Sequence, residues 1–102
     1  MSAANPERGE AALVLDGVTH VLRPSFQALV AAEGELGPLF ELVERAASGT
    51  LGIAEIVGLF WHCLKDPPAI DRATFGEALV AAGLKAITPA LRVLIGQILA
   101  GR

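Results

Sequence analysis

Two histidines, one cysteine and a scatter of carboxylates are all that this 102-residue sequence offers to catalysis or metal binding. His62 and Cys63 are neighbours, the combination a thiol nucleophile and its base would need. Adjacent residues on a helix point about 100° apart, however, so the pair reads as a solvated His beside a packed Cys. His20 has no second nitrogen or sulfur ligand at metal spacing. Cys63, as the only cysteine, excludes an intrachain disulfide, gives no metal cluster and fits a reducing compartment. Glu33 with Glu35, or Glu41 with Glu44, could supply an acid and a base, yet each falls at a helix end or on a wet face. Gly34, Gly37, Gly49, Gly52 and Gly83 stand where helices start and stop and form no phosphate loop. There is no tyrosine, and Trp61 reads as core before it reads as a partner contact. These residues point to a non-enzymatic protein with no cofactor and no metal, acting through apolar surface.

The elements that position them begin at Glu10–Leu29, EAALVLDGVTHVLRPSFQAL, where two apolar runs meet at Asp16-Gly17. A type I′ turn needs positive φ at both central residues, which Asp tolerates and Gly prefers. With that dipeptide as the loop, Leu15 pairs with Val18, Leu13 with His20 and Ala11 with Leu22 on one face. Val14 with Thr19, Ala12 with Val21 and an ion pair of Glu10 with Arg23 fall on the other. Both faces are mostly apolar, and an isolated two-stranded ribbon is marginal in water, so the hairpin has to lie against the helices that follow.

Pro24 ends the second strand and Ser25 caps a helix over Phe26 to about Glu33, with Phe26, Leu29 and Val30 inward and Gly34 as its stop. A second helix opens on Pro38 and ends before Gly49. Leu39, Leu42, Val43 and Ala46 form its buried stripe, while Glu41, Glu44 and Arg45 stay wet, with Glu41 and Arg45 at i, i+4. The third, about Ile53 to Lys65, puts Ile53, Ile56, Val57, Phe60 and Leu64 on one face, Trp61 and Cys63 beside it and Leu59 beyond. That arc covers roughly 200° and leaves Glu55, Gly58, His62 and Lys65 outside, so the helix is central in its own fold or shared with another chain. Asp66-Pro67-Pro68 breaks it. Asp71 caps a fourth helix to about Ala82, with Phe75, Ala78, Leu79 and Ala82 inward and Gly83 at its end. Thr88-Pro89 opens a fifth that runs to the C-terminus, with Leu91, Leu94, Ile95, Ile98 and Leu99 as its core face. Its other face carries Ala90, Val93, Gly96, Gln97 and Ala100, with Arg92 the one charge before Arg102. The open faces of the third and fifth helices make Leu59, Trp61, Val93, Gly96, Gln97 and Ala100 the candidate partner-binding residues.

The fold class is mainly α, α+β in strict terms: an N-terminal β-hairpin followed by a compact bundle of four to five short helices. A single domain over 1–102 is expected, with a loose arm over 1–9, the hairpin over 10–23 and the helical bundle over 25–102. At 10.6 kDa the folded surface should be about 5,500 Å² against roughly 15,000 Å² unfolded, which leaves a modest core. The apolar share is 53%, with 18 Ala and 15 Leu suited to closely packed helices. A mean hydropathy of +0.54 exceeds what such a core absorbs and is a first pointer to a partner surface. Eight basic against 11 acidic residues, a net charge of −3 and no basic cluster exclude a nucleic-acid footprint. The N-terminus, MSAANPERGE, has no apolar stretch of the signal-peptide kind, and no apolar run approaches the 18 residues of a membrane span. A cytoplasmic protein without nucleic-acid or membrane partners is expected.

The stretch from Asn5-Pro6-Glu7-Arg8-Gly9-Glu10 through a strand, the Asp16-Gly17 turn, a second strand ending Leu22-Arg23 and Phe26 opening a helix resembles one small phage-derived family. It is similar to the tail assembly chaperones of gene transfer agents and related tailed phages, also labelled gene transfer agent tail tube proteins. The likeness covers most of the chain, and its specificity resides in Glu10 to Leu29. Pro24 at the strand-to-helix junction and the apolar Phe60-Trp61 depart from the family pattern. The family has no catalytic set to carry over. The resemblance implies a protein that acts during tail assembly in a bacterial host cell, keeping a long helical tape measure protein soluble and bringing tail tube protein to it. Homo-oligomerisation stays open. A structural tail tube or connector subunit is the competing class, although one hairpin is little strand for a ring. A small helical adaptor, dimeric through the fifth helix, is the third.

Overall fold

The Asp16-Gly17 dipeptide turns as its composition requires, with φ of 53° and 77° at the two residues. The computed structural model describes residues 10–66 and 68–100. In it, β1 (Ala11–Leu15) and β2 (Val18–Leu22) pair antiparallel in the expected register, from Ala11 opposite Leu22 to Leu15 opposite Val18. The arm expected over 1–9, the Pro67 part of the expected break and the charge of Arg102 lie outside the described residues.

Ala11, Leu13 and Leu15 alternate inward along β1 and are buried, while Val14 between them faces out. The expected ion pair closes the open end of the hairpin: Arg23 Nε donates to Glu10 Oε2 at 2.8 Å, and Lys65 Nζ stands 3.7 Å from the same oxygen. Glu10 is only 1% exposed, and two cations offset the cost of taking its charge out of water. The ribbon gains a third, short edge. Arg23 N–H donates to the Cys63 carbonyl at 2.6 Å and Lys65 N–H to the Val21 carbonyl at 2.8 Å, around a Leu22–Leu64 bridge.

Among the described residues five helices follow, α1 (Phe26–Leu36), α2 (Leu39–Ser48), α3 (Ile53–Cys63), α4 (Arg72–Ala82) and α5 (Leu84–Ala100). The mainly α architecture with an N-terminal hairpin is therefore as expected. α1 begins as expected, with Ser25 Oγ accepting from Ala28 N–H at 3.1 Å. It does not stop at Gly34 but runs on to Gly37, whose φ of 97° suits only glycine and whose N–H bonds the Glu33 carbonyl. A mid-helix Gly costs about 1 kcal/mol; the extra turn sets Glu35 against partners on α3 and α4 and packs Leu36 on the core. The inward face also differs. Ala28 and Ala32 are buried, whereas Phe26 is 83% and Val30 52% exposed. Small side chains let α1 approach α3 closely, and the bulky ones are turned outward.

In α2, Pro38 occupies the cap position, Leu42 is buried, and Leu39, Val43 and Ala46 are half-buried. Arg45 forms its hydrogen-bonded pair with Glu55 of α3 and not with Glu41. Its Nη1 donates to Glu55 Oε1 at 2.7 Å, and Glu55 also accepts from Gly52 N–H at 2.9 Å. Bidentate guanidinium geometry across the α2–α3 turn outcompetes a single i, i+4 contact.

α3 is central, as its wide apolar arc implied, but its burial is centred on Leu59 and Phe60, with Ile56, Gly58 and Cys63 also buried. It ends at Cys63 because Leu64 turns extended to meet β2. α4 matches its expectation, with Asp71 Oδ1 accepting from Thr74 N–H at 2.8 Å and Phe75 and Leu79 buried. α5 starts a turn earlier than Thr88-Pro89, because Ile87, only 2% exposed, is drawn into the core. Pro89 lies inside the helix, and Thr88 Oγ1 donates to the Leu84 carbonyl at 2.7 Å. The buried line of α5 is Ile87, Ala90 and Leu94, so Ala90 is core, whereas Leu99 is 63% exposed. α5 lies against β1, and α4 and α5 meet at 112°. Among the described residues, no single helix is long and apolar enough to cross a membrane.

Candidate functional site

The groups with chemical potential are occupied in ways that hold the fold. Burial pushes the Cys63 thiol up to about 12, so its reactive thiolate is suppressed at neutral pH. His20 packs edge-on against Phe75, with ring centroids 5.8 Å apart, and desolvation lowers its pKa. His62 has a carboxylate that its sequence neighbourhood did not disclose: its Nε2 lies 2.8 Å from Glu35 Oε1. Arg72 Nη1 donates to the same oxygen at 2.7 Å, and Nη2 pairs with Glu35 Oε2. The Arg72 hydrogen bonds first, and that of His62 second, hold the Glu35 carboxyl down at about 2. A carboxylate so low cannot act as a general acid or base near neutrality. Its effect is mechanical, joining the end of α1 to the end of α3 and the start of α4. Among the described residues, no group of three or more His, Cys, Asp or Glu could hold a metal ion.

What remains is apolar surface in concave form. A groove of about 630 Å³ runs between the end of α2 and one flank of α5, lined by Ala46, Leu51, Leu84, Leu91, Ile95, Gly96 and Leu99, with Arg92 on its rim. A shallower one of about 630 Å³ lies between α3 and α4, over Ile53, Val57, Gly76 and Val80, with Arg72 and Glu77 at its rim. Leu84, Leu99, Ile53 and Val80 are 55%, 63%, 41% and 62% exposed, large apolar side chains that the core leaves unused.

A family model described as "Phage tail tube protein, GTA-gp10" matches residues 8–101. The chain belongs to this family. Comparison with curated proteins and comparison with solved structures each return no match. The GTA-gp10 family is a phage tail structural and chaperone family and not a catalytic one, and its membership implies tail proteins as partners.

Within this GTA-gp10 fold the residues singled out by sequence do not form one surface. Leu59 is 1% exposed, deep in the core, and has no face to present. Trp61 is half-buried, 5.6 Å from the Phe75 ring. Val93, Gly96 and Ala100 are exposed and Gln97 half-buried. Only Gly96 lines the α2–α5 groove. At 100° per residue, Val93 leaves α5 about 160° round from Ile95, so Val93, Gln97 and Ala100 form the opposite flank. Sequence reasoning missed Leu84, because it lay before the expected helix start, and Leu99, because its spacing matched the core face. The signal for both was Ile87: with Ala90 and Leu94 it makes a buried line at i, i+3 and i+7, and Leu84 and Leu99 fall off that line.

Proposed function

We propose that this chain is a tail assembly chaperone of a phage-like particle, a gene transfer agent, that binds the tape measure protein and tail tube subunits in the host cytoplasm during assembly. Family membership supplies the tail context. The observation that carries the chaperone reading is the apolar groove between α2 and α5, where Leu84 and Leu99 are exposed and Leu91 and Ile95 are half-buried at the edge of an already closed core. A client made of long amphipathic helices can be covered by helix-in-groove contacts of this kind. The chain acts as one unit over 1–102, with no catalytic step.

Co-expression with the tape measure protein, followed by pull-down and light scattering of the soluble fraction, tests it. A stoichiometric complex that keeps the long partner soluble is expected; a partner that stays insoluble while this chain elutes alone would sink the reading. The family description itself favours a second reading, a structural tail tube or connector subunit. Against it stands a sheet of two five-residue strands, too little to pair around a ring, and mass in solution separates the two: long polymers mark the tube. A small dimeric adaptor is a third outcome of the same mass measurement.

A further inference from the structure

Among the described residues, positive charge is paired everywhere except on one face. Arg23 and Lys65 meet Glu10, Arg45 meets Glu55 and Arg72 meets Glu35. Among the described residues, Lys85 and Arg92 form no ion pair, and both are exposed on α5. That helix, LKAITPALRVLIGQILA, has no acidic residue along its 17 positions, although the whole chain carries a net charge of −3. Lys85 and Arg92 are seven residues apart, which places them about 10 Å from each other on nearly one line of the helix. Among the described residues, Arg92 is the only charged one lining the α2–α5 groove.

We infer that this groove receives an acidic amphipathic helix of a partner protein, its apolar stripe on Leu91, Ile95 and Leu99 and its carboxylates over Arg92 and Lys85. This rests on the chaperone reading and adds to it the chemistry of the client segment. Apolar contact at i, i+4 and i+8 of α5 supplies the affinity, and the two cations select sign and register. Gly96 leaves the helix surface low where the partner backbone passes. The α3–α4 groove does not fit the same occupant, since Arg72 is engaged by Glu35 and Glu77 presents a carboxylate at the rim.

The test uses the full chain and two synthetic helices with the same Leu/Ala face, one flanked by Glu and one by Lys, followed by fluorescence anisotropy. At low salt the Glu helix should bind about tenfold more tightly or better, and the margin should shrink as ionic strength rises. Lys85→Glu with Arg92→Glu should invert the preference, while Glu77→Lys should leave it unchanged. Equal affinities, or a preference that survives the reversal, would overturn the inference. So would a homo-oligomer that the reversal dissociates, because a second copy would then fill the groove. If the reversed pair does not fold, Lys85→Gln with Arg92→Gln and the salt series decide the same point. Client solubilisation separates the two ideas: a reversed variant as effective as the parent removes the charge-selection inference alone. A parent that selects the Glu helix yet fails to solubilise the tape measure protein removes the chaperone reading alone.

Discussion

The guanidinium of Arg72 lies over the bare Cα of Gly58: a Cβ at that position would stand 2.9 Å from Arg72 Nη2, with Leu36 Cδ2 at 3.1 Å and Glu35 Oε2 at 3.2 Å. Gly58 is therefore the point at which α1, α3 and α4 converge, and the Glu35–Arg72 pair is the lid over it. Arg72 is flexible, so Gly58→Ala should be partly absorbed by movement of the guanidinium. The Ala gains up to about 1 kcal/mol of helix propensity, and the net loss should stay below about 1 kcal/mol. Gly58→Leu has no such escape and should cost about 1–3 kcal/mol by overpacking. Thermal melts of the two variants check the order; equal losses would show that the contact does not limit the approach of the helices.

Glu35 makes stability pH-dependent in a defined direction. Its carboxyl is held at about 2 against an ordinary 4.5, so the folded state prefers the ionised form. The stabilisation it gives is complete above the unfolded value and is lost as pH falls from about 4.5 through about 2. The side chain is 37% exposed, and solvent screening keeps the contribution at about 1 kcal/mol or less. Chemical denaturation of the parent and of Glu35→Gln should give curves that differ at pH 6 and converge toward pH 2. A constant difference across that range would mean that Glu35 acts by packing alone.

Core and groove predict opposite behaviour for two residues on apolar helices. Leu59→Ala should cost about 2–5 kcal/mol, because a buried Leu leaves a cavity. Gly96→Glu, on an exposed position of α5, should leave the melt unchanged and abolish client solubilisation. Val93→Glu, on the opposite flank, should affect solubilisation less. A Val93→Glu variant that loses the client while Gly96→Glu keeps it would move the binding surface off the groove.

Cys63 should resist thiol–disulfide exchange with Ellman's reagent in the folded protein, because burial both hides the thiol and pushes it up to about 12. Unfolding in guanidinium should release one rapidly reacting thiol. Fast labelling under native conditions would show that the β2–α3 junction opens locally.

The hairpin was legible in full, down to its register, because a two-residue turn fixes pairing and period-two alternation leaves no slack. The Glu10–Arg23 pair followed from that arithmetic. The helix caps at Ser25 and Asp71 were equally local and equally readable. What failed was local propensity overruled by distant contacts. Gly34 reads as a stop, yet Glu35 finds Arg72 37 residues away. Thr88-Pro89 reads as a start, yet burial of Ile87 carries the helix back to Leu84. The inward line of α5 passes through Ile87, Ala90 and Leu94, which puts Ala90 in the core and Leu99 at the surface. The groove was hidden for the same reason, since it needs both the true start of α5 and the end of α2 beside it.

The placement of α5 against β1 also sets the order of events on the ribosome. β1 leaves the ribosome among the earliest described residues, and α5, which covers it, follows every other described element. Until Leu94 and its neighbours arrive, a newly made hairpin holds Leu13 and Leu15 uncovered. A protein whose proposed work is to shelter another chain's apolar helices thus begins life with a strand in need of shelter. Chains cut short before α5 should accumulate as aggregates and not as a smaller folded form.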